Sequence, residues 1–455
     1  MTSEFQISQY RQVPAPDLAA ARQALRNFRR EGHILAALEG LHQALGNVFA
    51  LPLPGFRSVV VVGPEANRLL LTEARDRFCW RSEGDPVTRL LRQGLLVVDG
   101  AFHDNLREVM TPALHRSLFP RFVQTMWQIT DRVADQWLDD ANIDMLVEAR
   151  RIALLIVTEA LFGADVSPHL DMLWHDILKV IRYISPGPWL LWPGTPRPGY
   201  GSAVKRLDAY LHRLIAQRRM HPGSSDDLLG RLIASGMGDT LIRDQLLTML
   251  IAGHDTSTAL LAWSIYLLAT HPDALARAHA EIDAVLGEQF PAEIHTRHLP
   301  YLERVMKETL RLYPPIHLGS RIAAVDMTFQ GFQIPAGTRV LYSIYLTHRD
   351  QHYWPDPGVF DPERFTPARA NERVAYTYLP FGGGPRNCIG ASFAQVEAKV
   401  VLARILQRFT FSFAGGNVRP HMRATLEPSP GVQITVRRRE GSQVRRTVAA
   451  ADGAR

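Results

Sequence analysis

Cysteine is almost missing from this chain: among 455 residues only Cys79 and Cys388 occur. That scarcity argues against a disulfide-built secreted scaffold and suits a reducing compartment. No internal repeat and no low-complexity linker interrupts the sequence. The opening residues, Met1 to Ala20, carry charges and prolines but lack the apolar run of a signal peptide or an anchor helix. One stretch, Leu246 to Thr270, is nearly apolar over 25 residues and long enough to span a bilayer. Its middle holds His254, Asp255, Thr256, Ser257 and Thr258, and ionisable groups at bilayer depth are costly. A buried helix without a transmembrane role is predicted instead, and the cytoplasm is the expected location.

What is present is a large apolar fraction. Hydrophobic residues make up 46% of the chain, enough for one big domain or for two or three ordinary ones. The net charge is +6. Arg437, Arg438, Arg439, Arg445 and Arg446 gather much of that excess near the end and read as a solvated tail. No binding motif or aromatic stripe accompanies them, so no nucleic-acid partner is expected. The remaining basic residues could face an acidic protein.

Periodicity predicts helices over Asp17 to Leu45 and over most of Phe102 to Met220, with breaks at Pro120 and Pro168. Val59 to Val62 reads as a buried strand closed by Gly63-Pro64. The segment from Ile184 to Gly194 is a rigid apolar loop, either folded onto the core or serving as an entrance flap for greasy molecules. Helices continue to Leu312. Strand-like alternation runs from Ala323 to Tyr345 around Pro335-Ala-Gly, and His348 to Pro380 is irregular. A last long helix spans Ala391 to Phe409, and Thr425 to Val436 reads as a hairpin turning at Pro428-Ser-Pro-Gly.

The segment carrying most information is Phe381-Gly-Gly-Gly-Pro-Arg-Asn-Cys-Ile-Gly390. A soft thiolate is a strong ligand for haem iron and donates electron density that favours O–O cleavage. The glycines allow close approach of backbone to a cofactor and could aim amides at the sulfur. A helix starting near Ala391 would set its positive end beside the thiolate and lower its pKa. A lone buried cysteine is the plainer alternative. Phe381, Gly384, Arg386, Cys388 and Gly390 match together, which by average residue usage happens by chance in well below roughly one chain in a thousand.

On those residues the chain resembles the cytochrome P-450 family of haem-thiolate monooxygenases. The resemblance implies a mainly α fold with small β-sheets and the haem buried between two long helices. A single domain over residues 1–440 would then be followed by a disordered tail over 441–455. Cys388 would be the axial ligand of heme b (iron protoporphyrin IX), and Arg386 would hold a propionate.

Other segments add to the likeness. Glu308 and Arg311, spaced i,i+3 in Met306-Lys-Glu-Thr-Leu-Arg-Leu-Tyr-Pro-Pro315, would by themselves be an ordinary surface pair. With Arg364 of Asp361-Pro-Glu-Arg-Phe365 they resemble the family's buried structural triad, a matter of architecture. Ala252-Gly-His-Asp-Thr256 is similar to its oxygen-binding motif. Thr256 could bond the carbonyl of Ala252, Gly253 could leave room for a ligand, and the resemblance implies that Asp255 and Thr256 relay protons. His103 and Arg107, on one helix face, and Arg321 resemble the family's propionate-binding residues. Cys79, within Arg77-Phe-Cys-Trp-Arg81, matches no ligand pattern and is taken as structural.

The resemblance therefore implies insertion of one atom of dioxygen into an apolar substrate. Because 455 residues leave no room for a fused flavin reductase, electrons would come from a separate ferredoxin or flavodoxin with its reductase. Arg386, Lys399 and the turn near Arg107 are candidate parts of the docking face. An electron-independent peroxygenase or isomerase, or a non-catalytic haem sensor, are the alternatives, and the intact Asp255-Thr256 pair speaks against both. The resemblance implies a pocket built from Ser82 to Val98, the loop around Trp189 and Trp192, Leu250 and Ala252, the run Ile316, His317, Leu318 and Gly319, and the turn at Ser429, apolar outside the first segment apart from His317 and a few hydroxyls. Its apolar character favours a lipid, terpenoid, carotenoid or polyketide.

Overall fold

The computed structural model describes residues 11–439, apart from 54–55, 188–191, 193–194 and 223–225. Trp189 and the expected tail over 441–455 lie outside the described residues. Eleven helices of ten or more residues appear among the described residues: α1 (Leu18–Glu31), α2 (Ile34–Leu45), α3 (Gly100–Met110), α4 (Phe119–Ala134), α5 (Met145–Phe162), α6 (Leu170–Ile184), α7 (Tyr200–Met220), α8 (Asp239–Thr270), α9 (Pro272–Val285), α10 (Pro300–Leu312) and α11 (Ala391–Arg408). The predicted breaks hold, since Pro120 sits in the first turn of α4 and Pro168 lies in a short 3-10 turn before α6. No helix among the described residues is long and apolar enough to cross a membrane.

α8 is the spine. Asp239 in its first turn complements the helix dipole, and the chain leaves the helix at His271-Pro272. Apolar residues cover almost its whole circumference, so it can be stable only when enclosed. It packs most extensively against α5, whose start is capped by Asp144 and whose end is closed by Gly163 in the left-handed region. Trp263 on α8 is fully buried, stacks on Tyr313 at 3.7 Å and donates to the Leu426 carbonyl at 2.9 Å. Each such buried Leu, Ile or Val contributes about 1.5–3 kcal/mol, and the aromatic stack about 1 kcal/mol more.

The strands β1 (Val48–Leu53), β2 (Phe56–Val61), β3 (Phe78–Cys79), β5 (Leu318–Ala323) and β8 (Arg339–Ser343) form a sheet in the order β1-β2-β8-β5-β3. Only the β2–β8 pair in it is parallel, with Ser58 opposite Arg339. β6 (Met327–Phe329) and β7 (Phe332–Ile334) make a small hairpin. β4 (Asn142–Asp144), β12 (Gln433–Arg438) and β9 (Phe409–Phe413) form a three-stranded sheet, and β10 (Arg419–Met422) pairs with β11 (Leu426–Ser429).

Three expectations are corrected here. Strand structure begins at Leu318, five residues before the alternation predicted. Residues 425–436 are not a hairpin, because β11 pairs with β10 while β12 joins β4 and β9. The amide of Val432 donates to Asp144 Oδ1 and its carbonyl accepts from the Met145 amide, so the start of α5 captures the chain after the prolines. Finally, Arg437–Arg439 are no loose tail: Arg437 pairs with Asp140 at 2.9 Å and Arg439 with Asp283 at 2.7 Å.

Candidate active site around Cys388

The loop before α11 is held by its own backbone. Cys388 N donates to Phe381 O at 2.9 Å and Asn387 N to Gly384 O at 3.1 Å. Gly384 has φ +65°, and a Cβ there would stand 2.0 Å from the Leu71 carbonyl oxygen, so no other residue fits. Arg107 of α3 clamps the loop from outside, donating to Asn387 O at 2.8 Å and Asn387 Oδ1 at 2.7 Å.

Cys388 is enclosed by protein yet retains open surface, as a residue lining an interior space does. Burial raises its thiol pKa, against the opposing pull of the Gly390 amide and the Arg107 charge. The predicted lowering by the helix end is thus outweighed by desolvation. A thiolate here needs a cation to balance it, and that donor chemistry fits a haem iron. α8 shows the same kind of opening: Ala252, halfway along a core helix, is exposed and Thr256 half-buried. Thr256 Oγ1 donates to Ala252 O at 2.7 Å, as the sequence predicts.

A cavity of about 230 Å³ lies beside the loop, its lining including Arg75, Arg321, Arg386 and Trp80 together with Asp76 and Asp99. Arg321 lies 3.4 Å over the Trp80 ring, and Arg386 lies 4.8 Å from it. Burial, with like charges on Arg321 and Arg75 and with Asp99 opposing, pulls the Arg386 pKa down to about 10. Trp80 Nε1 and Arg81 Nε are buried without a hydrogen-bond partner among the described residues. Positive charge crowded beside orphaned N–H groups calls for anions, and two carboxylates would meet that need. These residues fit the propionate end of a haem. Nothing in the sequence reading drew attention to Trp80 and Arg81; the available signal was an aromatic flanked by arginines in Arg77-Phe-Cys-Trp-Arg81.

His103 is buried, its Nδ1 2.7 Å from Asp104 Oδ1, and burial lowers its pKa. Phe381 and Gly390 flank the cysteine as expected, half-buried. The expected triad is assembled. Glu308 and Arg311 are fully buried and doubly hydrogen-bonded, and Arg364 Nε stands 3.3 Å from Glu308 Oε1.

Other placements differ from expectation. A Cβ on Gly253 would stand 2.7 Å from Val157 Cγ2, so this glycine permits close packing of α8 on α5 instead of making room for a ligand. Leu250 is buried in the main core, and His317 is buried with its Nδ1 3.3 Å from Pro315 O and its pKa pushed down to about 4. Ile316 is exposed, Leu318 half-buried against the sheet, and Ser429 half-buried. Trp192 is exposed. Lys399 is no surface cation for a docking partner: it is buried, bonded to Thr296 O at 3.0 Å and Glu303 at 2.8 Å. Arg386 is likewise engaged, by the Val98 carbonyl and Asp99.

Along α8 the polar residues meet buried partners that the sequence did not disclose, Glu397, Thr425 and Glu427. Glu397 of α11 accepts from Ser257 at 2.7 Å, and burial lifts its pKa to about 8. Asp255 accepts from Thr425 Oγ1 at 2.8 Å and meets Glu427. Burial, then the Glu427 charge, raises its pKa to about 7.

Comparison with known proteins agrees with this architecture. The cytochrome P-450 family model matches residues 14–436. Cytochrome P-450 139 of Mycobacterium tuberculosis is 32% identical, covering 90% of this chain and 98% of its own. Cyclooctatin synthase of Streptomyces melanosporofaciens is 31% identical (92% and 95%), and the chloroplastic protein LUTEIN DEFICIENT 5 of Arabidopsis thaliana 29% (93% and 77%). A retinoic-acid-bound cyanobacterial cytochrome P-450 superposes with a TM-score of 0.82 at 27% identity, covering 94% of this chain and all of that one.

Proposed function

Because the chain belongs to the cytochrome P-450 family and is a haem-dependent monooxygenase, we propose that it hydroxylates an isoprenoid-type small molecule, a terpenoid or carotenoid relative. The haem is proposed to be heme b, with Cys388 as its thiolate ligand. Electrons would arrive from a separate ferredoxin or flavodoxin system in the cytoplasm. Names among the relatives refer to cyclooctatin, lutein and retinoic acid, which supports an extended apolar substrate.

The observation that supports the proposal is the glycine-locked loop, in which Cys388 keeps open surface beside an arginine-lined cavity. Once bound, the haem would supply dioxygen reduction and transfer of one oxygen atom to carbon. The overall balance is substrate C–H, dioxygen, two electrons and two protons in, and alcohol plus water out. The protein's tasks follow from its own groups. Arg321, Arg386, Trp80 and Arg81 would hold the carboxylates, with His103 and Arg107 closing the rim. Thr256, anchored on the Ala252 carbonyl, would present its hydroxyl oxygen to a proton donor, and Asp255 would supply the proton.

The reduced protein under carbon monoxide should show the red-shifted Soret band of thiolate ligation, and Cys388→Ala should lose it. Retention of the band by that variant refutes the ligand assignment. Turnover with peroxide but not with a reductase and dioxygen would refute the monooxygenase mechanism. Spectral titration with isoprenoid and non-isoprenoid compounds tests the substrate class.

A further inference from the structure

Protons consumed at the site must come from solvent, yet Asp255 has no direct access to it. Its carboxyl is buried between α8, α5 and β11. Oδ2 accepts from Thr425, Oδ1 has no partner among the described residues, and the second neighbour is Glu427, itself buried. Two carboxyl groups in buried contact cannot both ionise cheaply, and burial with the Glu427 charge accordingly raises the Asp255 pKa. Arg150 of α5 ion-pairs with Glu427 and neutralises the remaining charge. On α8 the adjacent His254 is buried and held neutral, its pKa pushed down to about 3 chiefly by burial, with Arg150 adding to the effect. The outer side differs. Arg423, half exposed, lies 3.8 Å from Glu427 Oε2, and exposed His421 is the cross-strand partner of Glu427 in the β10–β11 ladder. Cross-strand partners have Cβ atoms about 5 Å apart on one face, close enough for one water to join their side chains.

We infer that Glu427 and His421 form a proton path to Asp255 that crosses the β10–β11 ladder, with His421 as its surface terminal. This deepens the oxygen-activation proposal and rests on it. Protonated His421 loses its N–H proton, through water, to the Glu427 carboxylate. The resulting Glu427 O–H then gives its proton to Asp255 after Asp255 has delivered one inward. Each transfer breaks one N–H or O–H bond and forms one O–H bond. No electrons move, and solvent restores the His421 proton. Arg150 holds Glu427 in its ion pair, and burial with the neighbouring Arg423 charge lowers the His421 pKa, so that its proton is readily given up.

The test compares the haem-loaded parent with His421→Gln, Glu427→Gln and Asp255→Asn. In the resting protein, infrared spectra should show a protonated carboxyl band that disappears in Asp255→Asn and titrates at lower pH in Glu427→Gln, where the like-charged neighbour is gone. In turnover, His421→Gln should raise the solvent isotope effect and the share of electrons lost to hydrogen peroxide, and His421→Glu, which puts a titratable group back at the surface, should return both toward the parent values. Glu427→Gln should slow turnover by about tenfold or more. Should Glu427→Gln fail to fold, exposed His421 decides the matter alone. Parent-like isotope effect and coupling in His421→Gln, while Asp255→Asn is impaired, overturn the path. An unimpaired Asp255→Asn instead overturns the underlying proton-delivery proposal.

Discussion

Arg311 offers the sharpest energetic test. Its guanidinium is fully buried and makes five hydrogen bonds, two to the Glu308 carboxylate and three to the carbonyls of His348, Pro357 and Val359. Glu308 also accepts from the Asp361 amide at 3.0 Å. Arg311→Met keeps the bulk but strands three carbonyls and leaves the buried Glu308 carboxylate only Arg364 and the Asp361 amide. Removing one partner of such a buried pair costs about 3–5 kcal/mol. Scaled to a chain of this length, that lowers Tm by about 3–5 °C. Glu308→Leu combined with Arg311→Met removes the carboxylate together with its main partner and should cost less than the single change, since Arg364 keeps its bonds to the Pro355 and Asp356 carbonyls. Urea titration followed by far-UV circular dichroism and by the Soret band measures both variants. A single-variant loss below about 1 kcal/mol, or a double variant less stable than the single, refutes the argument that desolvation governs this cluster.

Two further outcomes are expected. Gly384→Ala should cost at least about 2 kcal/mol, since its left-handed backbone and the clash with Leu71 add together, and purified protein should hold less haem; parent-like haem content contradicts this. Glu397, whose carboxyl pKa is lifted from 4.5 to about 8, keeps its proton in the folded state while the unfolded chain ionises. Its stabilising contribution is complete below about pH 4.5 and declines by up to about 1.4 kcal/mol per pH unit toward pH 8, so Glu397→Gln should flatten the stability profile across that window. A variant profile parallel to the parent's opposes that assignment.

The cysteine loop and the triad were legible because each packs several constrained residues into a short span. Glycines at positive φ, a proline after a helix and a paired Glu and Arg are local requirements that sequence records directly. Contacts between distant segments left no such mark. Glu427 reads as an ordinary strand residue until β11 lies against α8, and Lys399 reads as a surface lysine until Glu303 meets it. Gly253 shows the opposite failure: its smallness was visible, but whether it served a ligand or a neighbouring helix depended on Val157. The false hairpin at Pro428 arose likewise, since turn residues predict a reversal without naming the strand's partner.

The distances along the chain that close the site carry a temporal consequence. β2 must find β8, β4 must find β12, and Arg107 must find Asn387 across 280 positions. Contacts so remote in sequence form late in folding. A chain still emerging from the ribosome has neither Cys388 nor β12, the strand that pairs with β4 just before α5, so the loop and the ladder are completed only once the carboxy-terminal segment has been made.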